Sequence, residues 1–185
     1  MAKHGVAAVA RHSFNGGCYP MINKTAEWLR PNPDYWLALV WRRLMGTSAL
    51  DIRDVTGTTD TGLRFYAMTS LRFPPSAASN GGSGAVVVFI NPTSTPRCIE
   101  FTAAKGLNTP RYEYTLTGGQ ASDPLSSDTV LINGSPLHLD PTDGSLPDGA
   151  VWPTQYAVLV NGTAPCISVD ALSIKFVELP EATVY

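Results

Sequence analysis

The sequence predicts a mainly β protein, a C-terminal β-sandwich preceded by one strand–loop–helix unit. Three observations carry that expectation. Sixteen Gly and fifteen Pro punctuate the 185 residues, and charged side chains make up only 15%; this suits turn-rich strands better than a helical bundle. From about residue 49, short runs of β-branched and aromatic residues recur between turn signals, as in a sandwich. Before residue 60, one segment alone (residues 32–46) reads as a helix of full length. The expected division is therefore 1–47 for the strand–loop–helix unit and 48–185 for the sandwich.

In chain order, Val6-Ala7-Ala8-Val9-Ala10 is an apolar run bounded by Gly5 and Arg11-His12, consistent with a strand buried on both faces. The loop Ser13-Phe14-Asn15-Gly16-Gly17-Cys18-Tyr19-Pro20 follows. The helix has Asn32 at its capping position and Pro33 where a missing N–H costs nothing. Asp34 lies near the positive end of the helix dipole, Arg42 and Arg43 near the negative end. Gly46 is the expected stop. Between these signals Trp36, Leu37, Val40, Trp41 and Leu44 form a wide apolar stripe. A doubly buried strand expects parallel neighbours and further crossover helices, and this chain has none, so the first 46 residues read as the tail of something larger.

The sandwich strands follow. Leu63 to Met68 leads into a Gly/Ser/Asn-rich loop at 76–84, and Val86-Val87-Val88-Phe89-Ile90 reads as a central strand. Ile99 to Thr102 and Arg111 to Leu116 alternate apolar with polar, the half-buried antiparallel pattern. Asn133-Gly134 between Leu131-Ile132 and Pro136-Leu137 is a strong hairpin signal. Tyr156 to Val160 and Leu172 to Val177 complete about eight strands.

Composition narrows the chemistry. A net charge of −2 with no basic block argues against nucleic-acid binding. No stretch suits a transmembrane segment, and no signal peptide precedes the first strand. Cys18, Cys98 and Cys166 show no metal-ligand spacing, so neither metal nor cofactor is expected. A Cys98–Cys166 bridge is one pairing among those the sequence leaves open. Asn23, Asn133 and Asn161 head sequons for N-glycosylation in a secreted protein.

Hydrolysis of a glycosidic bond ordinarily needs two flanking carboxyl groups, about 5–5.5 Å apart in retaining enzymes. Glu100 and Glu113 alternate onto the polar faces of their strands, and Glu178 and Glu181 lie near the C-terminus. Asp51 and Asp54 bracket a turn-like stretch, and Asp140 and Asp143 fall in a Pro/Gly turn. Solvated surface charge is the expectation for all of them. The loop after the first strand is a stronger candidate. Gly16-Gly17 lets backbone N–H groups approach an anion, and Tyr19 offers a hydroxyl from the same turn. The alternative is a plain Gly-rich turn with Tyr19 packed on the helix. His12 reads as a strand-end histidine and Cys18 as a small buried thiol.

Arg11-His12-Ser13-Phe14-Asn15-Gly16-Gly17-Cys18-Tyr19, then Pro31-Asn32-Pro33-Asp34-Tyr35-Trp36-Leu37-Ala38-Leu39 and Arg43-Leu44-Met45-Gly46, resemble the heparanase-like glycosidases. These are the β-glucuronidases of glycoside hydrolase family 79. Leu131-Ile132-Asn133-Gly134-Ser135-Pro136-Leu137 and Ala171 to Val177 resemble that family's C-terminal domain. The resemblance implies a (β/α)8 barrel, or TIM barrel, followed by a β-sandwich. This chain would then hold the last strand–helix unit of the barrel and the sandwich. It implies a uronic-acid-containing glycan or glucuronide as substrate, and an extracellular or peripherally membrane-associated whole protein. Gly16, Gly17 and Tyr19 match the family's substrate-binding loop, in which a glycine amide and a tyrosine hold the uronate carboxylate. Cys18 stands where the family usually has Asn, and Met68 where many members carry a disulfide-forming cysteine. No glutamate here matches either catalytic motif, so the missing N-terminal barrel would supply both, and the chain alone is expected to be inactive. A non-catalytic sandwich that binds carbohydrate or protein is the alternative, suggested by Tyr112 and Tyr114 although their alternation reads more as core.

Overall fold

Val86 to Ile90 occupies the position its composition demands, inside a sheet covered on both faces. The computed structural model describes residues 13–15, 17–18, 20–24, 29–52, 62–73, 84–100, 111–140, 142–146, 155–157, 166–180 and 182. In chain order these form β1 (Ile22–Lys24), β2 (Leu29–Pro31), α1 (Pro33–Leu44), β3 (Met45–Leu50), β4 (Arg64–Ser70), β5 (Ala85–Asn91), β6 (Arg97–Ile99) and β7 (Arg111–Gly118). They continue with β8 (Val130–Ile132), β9 (Ser135–Pro136), β10 (Gln155–Ala157), β11 (Ile167–Val169) and β12 (Ser173–Leu179). The fold is mainly β, as the sequence predicts. The expected first strand at residues 6–10 lies outside the described residues.

The principal sheet has eight strands in the order β3-β4-β5-β12-β7-β8-β9, with β10 also paired to β7. Its ladders are antiparallel. The C-terminal strand β12 sits in the middle, pairing Phe176 with Val88 on one side and with Tyr114 on the other. Period-two alternation then divides its residues between two cores. Val86, Val88, Tyr114, Leu116, Ile132 and Phe176 meet Trp36, Val40 and Leu44 of α1 on one face. Val87, Phe89, Val177 and Leu179 meet Ile167 and Val169 of β11 on the other. Burying a side chain of this kind contributes about 1.5–3 kcal/mol relative to exposure, so both layers matter to stability.

The second layer of the sandwich, among the described residues, is the antiparallel pair β6–β11. A disulfide joins Cys98 to Cys166 within it, with Cα atoms 5.4 Å apart and 68 residues of separation. Closing a loop of that length stabilises the fold by on the order of 4 kcal/mol in the chain-entropy account. Asn91, at the end of β5, anchors this layer: its Nδ2 donates to the carbonyls of Thr95 and Asp170, each at 2.9 Å.

Two expectations about α1 are corrected. Asn32 occupies the capping position but makes no side-chain cap bond; its amide is committed to the preceding loop instead. Gly46 does not stop the helix, which ends at Leu44, with Met45 extended and already in β3. Glycine is needed at 46 for another reason: a Cβ there would lie 2.3 Å from Thr69 Oγ1 and 2.6 Å from its carbonyl. β3 and the hairpin β1–β2 went unpredicted because the hairpin strands have three residues each and β3, six residues long, has no apolar–polar alternation to read.

The Asn133-Gly134 hairpin forms as expected, with φ of 47° and 83°, the two left-handed residues of a type I′ turn. Asn133 Oδ1 accepts from the Thr115 amide at 2.8 Å and its Nδ2 donates to the Glu113 carbonyl at 3.0 Å. The side chain thus extends the β7 ladder where the strand partner turns away. Asn133→Ala should cost about 2–3 kcal/mol, combining two buried backbone groups left without partners and left-handed strain. A urea midpoint within error of the parent would contradict this role.

Candidate functional site

The loop after residue 12 is held by backbone bonds to its own exit. The Met21 and Ile22 amides donate to the carbonyls of Ser13 (3.3 Å) and Phe14 (3.0 Å), and Asn15 bridges Ile22 in parallel sense. Asn32 fastens that exit to the start of α1. Its amide donates to the Met21 carbonyl at 2.9 Å and its Nδ2 to the Pro20 carbonyl at 2.6 Å. Its Oδ1 accepts from Asn23 Nδ2 at 2.9 Å. Hydrogen bonds thus join the described part of the loop, β1 and the helix N-terminus, at the positive end of the helix dipole.

Gly17 has φ +83°, and a Cβ there would meet Ser13 Oγ at 3.4 Å, an ordinary contact. Its requirement is conformational rather than spatial. Cys18 is exposed, not buried as expected. Gly16, Tyr19 and His12 lie outside the described residues. Of the sequons, Asn23 is exposed on β1 and Asn133 has its amide in the hairpin, while Asn161 also lies outside.

The carboxylates overturn an expectation. Glu113 and Glu178 are not solvated surface charges: they are 7% and 0% exposed. Glu113 faces the β6–β11 layer, which the alternation of β7 could not foresee. Its Oε1 accepts from Arg111 Nε at 2.8 Å and its Oε2 from Lys175 Nζ at 3.0 Å. Burial pushes its pKa up, but hydrogen bonds and charge from Arg111 and Lys175 more than offset this and hold it below the ordinary value. Glu178 faces α1, in phase with Ile174 and Phe176, and that shared phase was a readable sign of burial. Ser70 Oγ donates to its Oε1 at 2.6 Å and Arg72 Nη1 to its Oε2 at 3.0 Å. Here burial wins over those two partners and the pKa is raised.

Arg72 also donates to the Tyr114 hydroxyl and lies over the rings of Phe73 and Tyr112, 5.5 and 5.0 Å from their centroids. Tyr114 is 3% exposed, so the tyrosine pair belongs to the core. The register pairs Val177 with Glu113, which leaves Glu178 on the opposite face of the sheet. These two carboxylates cannot flank one scissile bond. Asp140 and Asp143 lie in a turn as expected, each accepting from a backbone amide two residues on, at 2.7 and 2.8 Å; the Ser145 bonds hold Asp143 below its ordinary pKa.

No family model matches the chain. Curated relatives do. The baicalin-β-D-glucuronidase of Scutellaria baicalensis is 29% identical over 176 residues, covering 95% of this chain and 29% of the relative. Heparanase-like protein 2 of Arabidopsis thaliana is 26% identical, covering 97% of this chain and 34% of the relative. The hyaluronoglucuronidase of Hirudo nipponia is 30% identical over 139 residues, covering 75% and 27%. The chain is a distant homologue of the heparanase-like glucuronidases. It spans about a third of the length of these relatives. Among the heparanase-like features quoted from its sequence, the described loop and helix are contiguous in space and the hairpin motif forms a type I′ turn.

The two buried glutamates should shape stability in opposite directions. Glu178, with its pKa raised on folding, favours the folded state at pH below the ordinary carboxylate range, and that benefit is lost as pH rises through the raised value. Glu178→Gln should therefore show a higher urea midpoint than the parent at pH 8, and the gap should close in acid. Glu113 contributes stability above the ordinary range that disappears as pH falls through its lowered value. Glu113→Gln should cost about 3 kcal/mol at neutral pH, because two buried cations lose their counter-charge. Parallel pH profiles for both variants would refute the assignment.

Proposed function

We propose that this chain is the substrate-recognition and sandwich portion of a heparanase-like β-glucuronidase. Residues 1–47 would complete a (β/α)8 barrel and residues 48–185 would form the sandwich that supports it. The observation that carries the reading is the homology itself. Two relatives are named for cleaving quite different molecules, baicalin and hyaluronan, and share the glucuronide. A site common to them would recognise the uronate, and the loop at 13–20 is suited to that task. The Gly17 amide and the Tyr19 hydroxyl would donate to the uronate carboxylate, while Asn32 pins the loop to α1. Hydrogen bonds to a charged group are worth about 1.5–3 kcal/mol each. They also select against neutral sugars, which would leave the donors without partners.

Both catalytic carboxyl groups would come from the barrel segment upstream, acting by retention without metal or cofactor. The carboxylates described in this chain do not substitute for them, since Glu113 and Glu178 are tied into opposite faces of the sheet. The Cys98–Cys166 disulfide supports an oxidising, extracellular setting, secreted or peripherally membrane-associated. Among the described residues no helix is long and apolar enough to cross a membrane. Of the helix stripe, Trp36, Val40 and Leu44 are buried against the sheet rather than left as an apolar patch, and Trp41 alone is 37% exposed; with Phe14 and Leu29, 62% and 56% exposed, it is surface that a barrel would cover. A sandwich acting only as a binding module through Tyr112 and Tyr114 is not favoured, because Tyr114 is buried and Tyr112 packs on Phe73.

In the complete enzyme, Tyr19→Phe should lower kcat/KM for a glucuronide by about 10–100-fold and leave the matching glucoside unaffected. Identical parameters for the glucuronide would sink the recognition role. The chain on its own should bind an apolar dye and self-associate; a stable monomer that ignores the dye would argue against a missing barrel partner.

A further inference from the structure

On the face of the sheet away from α1 lies a half-open cleft of about 460 Å³, lined by Glu113, Thr115, Thr117, Ser168, Asp170 and Lys175 among others. Its two walls are held in different ways. The Asn133-Gly134 turn is locked onto β7 by the Asn133 amide on one side, and Cys166, held to Cys98, stands on the other. Its floor carries charge where a sheet core would ordinarily be apolar: Lys175 and Glu113 are 4% and 7% exposed. Of the three N–H groups on Lys175 Nζ, the described structure commits one, to Glu113. Buried donors are nearly always satisfied, and this volume far exceeds the ~30 Å³ share of one water. It falls within the range of small-molecule sites.

We propose that this cavity is a binding site for an uncharged, hydroxyl-rich ligand, a sugar residue, separate from the uronate loop. Three features select that chemistry. The lining offers donors (the Lys175 ammonium and hydroxyls of Thr115, Thr117 and Ser168) beside acceptors (Asp170 and the hydroxyls), and vicinal sugar hydroxyls both donate and accept. The formal charges of Arg111, Lys175, Glu113 and Asp170 cancel, so a carboxylate ligand gains no net attraction and meets Asp170. The described lining residues include no aromatic or large aliphatic side chain, which disfavours an apolar ligand. The site would give the sandwich a hold on neutral residues of a glycan, whether or not the uronate loop acts as proposed above.

The test is titration calorimetry of the whole chain with glucose, galactose, xylose and N-acetylglucosamine, and with glucuronate as the charged comparator. At least one neutral sugar should bind saturably, with Kd on the order of 1 mM. Ser168→Trp, which fills the cavity from the exposed face of β11, should weaken it at least tenfold with the melting temperature unchanged. Lys175→Met should weaken it similarly, and Tyr19→Phe should leave it intact. No saturable binding of any neutral sugar, binding of glucuronate alone, or binding indifferent to Ser168→Trp would each overturn the proposal. Loss of binding in Tyr19→Phe would also overturn it, by locating the sugar in the loop instead.

Discussion

The central position of β12 is the constraint on which the rest depends. A strand contributed by the end of the chain lies between β5 and β7, so the principal sheet is complete only when Ser173 to Leu179 is in place. Because that sheet is apolar on both faces along β5, it needs a cover on each. The helix α1 supplies one through Trp36, Val40 and Leu44, and the disulfide-joined pair β6–β11 supplies the other. The two covers come from segments far apart in sequence, residues 33–44 against 97–99 and 167–169, which makes the contacts long-range. Breaking either one exposes half of the same strands.

The same two-sided burial explains the polar groups inside. Covering a sheet whose inner strands β7 and β12 carry glutamates obliges each carboxylate to find partners. Glu113 found two cations and is held ionised; Glu178 found a hydroxyl and one half-exposed arginine, and burial prevails. The difference is one of solvation against neighbours, decided within a few ångströms on opposite sides of one sheet. Neither arrangement resembles the paired carboxyl groups of a glycosidase. Among the described residues, Glu113 and Glu178 therefore serve the packing of the sheet.

The loop at 13–20 is tied to the fold through Asn32, whose side chain binds the loop rather than capping the helix it begins. A residue at a helix start that spends its amide on the preceding turn places that turn relative to the helix. Through Trp36 and Val40 the helix in turn is placed on the sheet. Gly17 keeps a left-handed conformation in this loop, which glycine adopts without strain.

Much was legible in the residues themselves. Pro33, Asp34 and the spacing of Trp36, Val40 and Leu44 define α1; the unbroken run at Val86 defines a central strand; Asn133-Gly134 defines a hairpin turn. These are local preferences of backbone and solvent, so sequence expresses them directly. The edge strand β3 and the hairpin β1–β2 escaped, the hairpin strands being too short to carry a period and β3 having no apolar–polar alternation. Gly46 reads as a helix stop in one dimension, and only the packed structure reveals that Thr69 excludes a side chain there. Most tellingly, the alternation of β7 identifies which residues share a face with Glu113 but not whether that face meets water. That was decided by β11, some fifty residues onward, and by its disulfide. Periodicity is a property of a strand, whereas burial is a property of what the rest of the chain lays over it.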